Sequence, residues 1–346
     1  MPIAAGRFDL DDVGAEIAED LAGENACFVA DFENADRRQH GAAYFTMPRL
    51  RGSDLLDFGV RAALVSWGAT PCRRVRAGCK DLVAMLRHGA GRTAMGLEGR
   101  VALVTGGGRG IGRAISLALA EDGADVAVNY RKDEAAARET VAAIEALGRR
   151  ARAYPGSVDS YDDDRRIVDA AVADFGFVDI LVNNAGIASR GHSVEKTDPA
   201  ELERVIRTHA LGAHHLCQLV LPSMKQRTRG DIVMISSVAT LHHAGGGAPY
   251  NMAKAALEAL AFTLAKEVKK HGIRVNVVAP GLVETDMGRR LMKATANVHD
   301  LRTLDASMPF GRVCQPEDVA NTVRWLVSER ASYITGEKIN VYGGAS

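Results

Sequence analysis

From Leu97 onward, short apolar runs alternate with amphipathic stretches, and few folds accept that alternation. The runs are VALVT (101–105), DVAVNY (125–130), ARAYP (151–155), VDILVNN (178–184), DIVMISS (231–237), IRVNVVAP (273–280) and EKINVY (337–342). Between them lie helix-like segments: ISLALAEDG, a stretch closed by Gly148, residues 160–175, a long segment opened by Asp198-Pro199, residues 250–271, and one opened by Pro316-Glu317-Asp318. Asp suits an N-cap, Pro the first turn, and Gly the position after a last turn. Apolar strands interleaved with amphipathic helices predict a parallel sheet covered on both faces, a Rossmann-like, doubly wound α/β fold. Residues 96–346 fill one such domain of about 250 residues, a common size for this architecture.

Residues 1–95 lack this rhythm. Their first part is acidic, around DLDDVGAEIAED, and their later part basic, around CRRVRAGCK and RHGAGR. They read as a weakly ordered extension, a small accessory segment, or translated sequence ahead of a start at Met95. The runs ACFVADF and LVSWGA keep the accessory-segment reading open.

The charge balance excludes several partners. The chain carries 43 basic and 43 acidic residues, so no net field recruits nucleic acid or an anionic membrane. No apolar run approaches the roughly 18 residues of a membrane span, and the amino end lacks a signal-peptide pattern. The 5 cysteines are scattered without a CxxC pair, so neither a disulfide framework nor a metal site is expected. A cytoplasmic location is the resulting expectation.

The glycine-rich segment Thr105-Gly106-Gly107-Gly108-Arg109-Gly110-Ile111-Gly112 follows a strand and opens a helix. In that setting glycines let the backbone approach a pyrophosphate, and the helix N-terminus supplies N–H groups. At the end of the second strand stand Asn129, Tyr130, Arg131 and Lys132, where an NAD site usually carries Asp or Glu. Arg131 and Lys132, with Arg109, suit a 2′-phosphate, so NADP(H) is predicted over NAD(H).

Three further residues define the chemistry. Tyr250 and Lys254 stand four apart in YNMAK and share a helix face, and Ser237 closes the DIVMISS run. A free tyrosine titrates near 10, so acid-base work at neutral pH needs a stabilised phenolate. Lys254, a positive nicotinamide and the helix N-terminus are the expected stabilisers. Ser237 is placed to hold the substrate oxygen.

Together these motifs resemble the short-chain dehydrogenase/reductase family over residues 97–346. The likeness rests on TGGGRGIG, Asn183-Asn184-Ala185-Gly186, ISS with Ser237, YNMAK, PGLVET and YITGEKINVYGG. Within the family it is most similar to 3-oxoacyl-(acyl-carrier-protein) reductases. The resemblance implies that Ser237, Tyr250 and Lys254 are catalytic. It implies that Gly106, Gly108, Arg109, Gly110, Ile111, Gly112, Asn129, Arg131, Asn183, Ala185, Gly186, Pro280 and Gly281 line the cofactor site. Val283 and Thr285 would hold the nicotinamide carboxamide, and Lys254 would also bond the nicotinamide ribose. A small carbonyl or acyl-thioester substrate and a homotetramer or homodimer are implied as well. A sugar or steroid substrate, or a catalytically weak nucleotide sensor, stay open as alternatives.

Two positions depart from the family. His209, in His209-Ala210-Leu211-Gly212, stands where an asparagine usually holds a water of the proton relay. Either it takes over that role or it is a packed helix histidine. Ser157-Val158 replaces the usual Asp-Val, which predicts an adenine contact that is weaker or made by the serine hydroxyl. His242 and His243 fall near the expected substrate mouth, and residues 284–310, with Met287, Arg289, Arg290 and Met292, form the expected lid.

Overall fold

The computed structural model describes residues 27–33, 40–46 and 96–344. The basic stretch 73–92, the LVSWGA run and Met95 lie outside the described residues. The chain divides into two units, Met1–His88 and Gly89–Ser346. In the first, β1 (Cys27–Glu33) pairs antiparallel with β2 (His40–Thr46), Cys27 opposite Thr46 and Glu33 opposite His40. The ACFVADF run thus supplies a strand.

In the second unit the seven apolar runs become β3 (Val101–Val104), β4 (Asp125–Tyr130), β5 (Ala151–Pro155), β6 (Ile180–Asn183), β7 (Gly230–Ile235), β8 (Ile273–Pro280) and β9 (Lys338–Val341). They form one parallel sheet in the order β5-β4-β3-β6-β7-β8-β9. Every residue of β3, β6, β7 and β8 is buried, as strands covered on both faces require.

Helices α1 (Gly110–Glu121), α2 (Glu134–Ala146) and α3 (Tyr161–Phe175) follow the first three strands. After β6 come α4 (Pro199–Ile206) and α5 (Gly212–Met224); after β7, α6 (Ala239–His242) and α7 (Ala248–Val268). Helices α8 (Asp286–Ala296) and α9 (Pro316–Leu326) follow β8. Ile167, Leu216 and Leu257 pack on one face of the sheet, from α3, α5 and α7; Ile115, Ile144 and Val323 pack on the other, from α1, α2 and α9. The expected cap at Asp198 is present: its carboxylate accepts from Ala200 N at 3.0 Å.

Two differences from the sequence expectation matter for the site. The long helix opened by Asp198 is interrupted by a π-helical turn at Arg207–Leu211, which carries His209. The turn gives way to α5 at Gly212, where any Cβ would strike the Val158 carbonyl oxygen. Second, β7 ends at Ile235, so Ser237 lies two residues past the strand.

The glycine turn is equally tight. Gly106 has φ +61°, a backbone conformation that glycine adopts without penalty. A Cβ on Gly112 would lie 2.6 Å from Asn184 Nδ2 and collide with the Gly106 carbonyl oxygen. Gly112→Ala is therefore expected to lower unfolding free energy by about 2–3 kcal/mol in urea titration; an unchanged midpoint would show that the turn yields freely.

Candidate active site

The chain leaves β3 towards β4 and β5, then returns to add β6 on the other side of β3. Such a reversal opens a crevice at the carboxyl ends of the strands. Thr105 and Asn184 tie its two walls together. Thr105 Oγ1 accepts from the N–H groups of Asn184 and Ala185, each at 2.9 Å, and Asn184 Nδ2 donates to Thr105 O at 2.8 Å. Sequence reasoning gave neither side chain a role, because their contact exists only once β3 and β6 are neighbours.

The glycine turn fits a dinucleotide. The residue capping α1, Arg109, makes no side-chain cap bond, so the first N–H groups of the helix remain for a pyrophosphate. Gly110, with φ +53°, faces the Thr285 methyl group across the crevice: a Cβ there would lie 3.4 Å from it. Arg109, Arg131 and Lys132 are exposed at the end expected to take the 2′-phosphate. One carboxylate shares that end: Asp133 Oδ2 lies 4.0 Å from Arg109 Nη1, with both side chains at least half exposed, a weak pairing. Asn129 holds the glycine turn through its side-chain amide. Its Oδ1 accepts from Gly106 N at 3.3 Å and its Nδ2 donates to the carbonyls of Tyr154 and Gly156, so it braces the turn from below. Ser157 N donates to Asp163 Oδ2 at 2.9 Å, and Val158 is buried.

The far wall comes from β8 and the loop that leads from it into α8. Gly281 N donates to Val341 O at 3.0 Å, directly after Pro280. Val283 is buried, and Thr285 Oγ1 caps α8 by accepting from Gly288 N at 3.1 Å. Within the expected lid, Arg289 is paired with Glu284 and with Asp286 at 2.7 Å. His243 ends α6 with φ +47°, and the His242 ring stands 6.4 Å from that of Tyr342.

Ser237, Tyr250, Lys254 and His209 converge where these walls meet. Tyr250 lies in the first turn of α7, one turn before Lys254. The Lys254 ammonium is buried, donates to Ile235 O at 2.6 Å and stands 5.7 Å from the Tyr250 ring centroid. Burial pulls its pKa down to about 7, against the nearby Glu258 carboxylate, which raises it. Burial pushes the Tyr250 phenol above its ordinary value, while a hydrogen bond with Ser237 acts in the opposite direction. Among the protein's own groups, desolvation outweighs the stabilisers expected from sequence.

His209 completes the cluster. Its ring meets the Tyr250 ring edge-to-face, centroids 5.4 Å apart and planes at 87°. Nε2 lies 2.8 Å from Ile187 O and 3.2 Å from Ile187 N, so the tautomer decides whether it donates to the carbonyl or accepts from the N–H. A Cβ on Gly186 would come within 2.5 Å of His209 Cε1, so the imidazole occupies the space above that glycine. Nδ1 and Asn183 Oδ1 are both buried without a hydrogen-bond partner. Both residues line the same cavity of about 10 Å³, with Thr105, Thr208 and Val158. Asn183 Nδ2 faces Met234 Sδ at 3.2 Å, so this residue supports the crevice from within the core.

A dinucleotide turn facing a hydroxyl, a phenol and an ammonium defines a nicotinamide-linked oxidoreductase site. The family model described as enoyl-(acyl carrier protein) reductase matches residues 106–346. A 3-oxoacyl-(acyl-carrier-protein) reductase from Staphylococcus epidermidis is 38% identical over 244 residues, 70% of this chain and 97% of that protein. An L-rhamnose 1-dehydrogenase (NAD(P)(+)) from a Sphingomonas species is 37% identical over 72% of this chain and 96% of its own length. A short chain dehydrogenase from Burkholderia cenocepacia, solved in complex with NADP, is 35% identical with a TM-score of 0.65, covering 72% of this chain and 98% of that one. An NAD+-bound xylitol dehydrogenase is 30% identical with a TM-score of 0.67, covering 72% and 99%. This chain belongs to the short-chain dehydrogenase/reductase family.

Burial, with the Lys254 charge acting alongside it, holds His209 down at about 3 against an ordinary 6.5. Between those values the unfolded chain takes up a proton that the folded chain refuses, so folding stability falls as pH falls through that window. The slope reaches about 1.4 kcal/mol per pH unit. Urea titrations from pH 7 to 5 should show this loss in the parent and a shallower one in His209→Asn; equal slopes would mean that the imidazole protonates in the folded state.

Proposed function

We propose that this chain transfers hydride reversibly between NADP(H) and the carbonyl or alcohol of a small molecule, in the manner of a 3-oxoacyl thioester reductase. The observation that carries this reading is the convergence of Ser237, Tyr250 and Lys254 at the carboxyl edge of the sheet beside the glycine turn. When bound, the nicotinamide supplies the hydride and, once oxidised, a positive charge that stabilises a phenolate. In reduction Tyr250 gives its phenolic proton to the substrate oxygen, and in oxidation it takes that proton back. Ser237 holds the oxygen in place. Lys254, beneath the phenol, favours the phenolate that forms. His209, neutral and edge-on to Tyr250, fixes the ring and contributes no charge of its own.

The NADP(H) assignment is supported by Arg109, Arg131 and Lys132 and by the NADP carried by the Burkholderia relative. NAD(H) is the weaker partner, although the xylitol dehydrogenase holds NAD+. That protein and the rhamnose dehydrogenase also favour, as a second reading, a sugar or polyol substrate.

Depletion of NADPH and of NADH should be followed across β-ketoacyl thioesters, sugars and steroids. The expected result is NADPH-linked turnover of a ketoacyl thioester, reduced at least about 100-fold in Tyr250→Phe, which still binds cofactor. Turnover should also be retained in a chain beginning at Met95, since residues 1–95 are taken as dispensable. Binding without turnover of any carbonyl would favour a sensor, and an NADH preference would overturn the phosphate assignment.

The chain is further expected to form a homotetramer or homodimer. Supporting this, a groove between α5 and α7 is lined by the half-buried Leu221 and Leu260, flanked by His214 and Glu267. Light scattering that gives a monomer mass at micromolar concentration would remove this expectation.

A further inference from the structure

We infer that Glu258 is a positioning residue for the proposed hydride transfer: its carboxylate, locked to Lys338, tethers the segment on both sides of Ser237 and sets a negative charge one helical turn from Lys254. The inference rests on the functional reading above and adds to it a charge pair outside the Ser237, Tyr250 and Lys254 cluster.

Glu258 sits on α7 one helical turn beyond Lys254, on the same face. Its carboxylate is nearly saturated. Oε1 accepts from Ser236 Oγ at 2.6 Å and from Thr240 Oγ1 at 2.9 Å. Lys338 Nζ, on the edge strand β9, lies 2.8 Å from Oε1 and 3.0 Å from Oε2. Lys338 also donates to Thr240 Oγ1 at 2.6 Å, and the Thr240 hydroxyl lies 2.9 Å from Ser237 O. Ser237 is thus held from both neighbouring sides by one carboxylate. Both members of the pair are largely shielded, at 12% and 16% side-chain exposure, so the interaction is only partly screened.

The charges around Lys254 are few. Among the described residues, the titratable groups facing it are Tyr250 and Glu258 on its own helix and His209 on the π-helical turn. Of these only Glu258 is a carboxylate, and it opposes the desolvation that draws the ammonium towards neutrality. Glu258 in turn faces Lys338. A more firmly neutralised Glu258 supports Lys254 less, and an unneutralised one supports it more.

That dependence gives two variants opposite signs. In full-length protein labelled with 13C-lysine, the Lys254 resonance is assigned by its loss in Lys254→Met and titrated by NMR. Glu258→Gln keeps an acceptor for Ser236 and Thr240 but removes the charge; the Lys254 midpoint should fall by about one pH unit. Lys338→Met frees the Glu258 charge and should move the midpoint up. With a substrate in hand, turnover of Glu258→Gln at neutral pH should drop several-fold and recover as pH is lowered, whereas a merely structural loss would be uniform with pH. An unmoved midpoint in Glu258→Gln, or shifts of the same sign in both variants, would overturn the inference. Because the titration needs no turnover, it decides the matter even if the parent reduces no carbonyl, an outcome that would count against the functional reading alone.

Discussion

The site depends on β3 and β6 lying side by side although nearly eighty residues separate them. Their adjacency brings Thr105 against the Asn184 and Ala185 backbone, and so joins the glycine turn to the segment that runs under His209. If these two strands parted, the crevice would lose its floor. On the platform this pair establishes, β7 adds the carbonyl that holds Lys254, and β8 leads into the far wall.

Charge is sorted along the same strands. At their amino ends Asp231 meets Arg100 at 2.8 Å, Arg229 at 3.1 Å and Arg274 at 2.6 Å, and Arg324 is paired with Asp122 nearby. These are structural pairs, in which desolvation is offset by several donors at once. At the carboxyl ends the opposite holds. Lys254, Tyr250 and His209 are each driven towards their neutral forms, with Glu258 the one described carboxylate that resists this at Lys254. Around Tyr250 itself the protein's groups are buried, so a charge arriving there with a ligand acts at low dielectric.

The inner strands β3, β6, β7 and β8 were legible in the sequence because a doubly covered sheet leaves them buried and mostly apolar, while the edge strands β5 and β9, with Arg152 and Lys338, were read from the βα rhythm around them. Helix starts such as Asp198 and Pro316 were legible because caps are local chemistry. Ser237, Tyr250 and Lys254 were legible because four residues on a helix fix a face. The π-helical turn was not, since His209, Ala210 and Leu211 all suit an ordinary helix; it ends where Gly212 packs on the Val158 carbonyl, a contact between segments far apart in sequence. The bracing role of Asn129 was not legible, because its amide bonds three backbone partners drawn from distant segments. The Glu258–Lys338 pair spans eighty residues and leaves no spacing signature.

Gly186 and His209 constrain one another in a way that bears on the order of change. With the imidazole in place, any side chain at 186 is sterically barred. With a smaller residue at 209, the same glycine becomes replaceable. Substitutions at this pair are therefore coupled: position 209 must shrink before position 186 can grow, so this side of the Tyr250 ring is remodelled only by changing both.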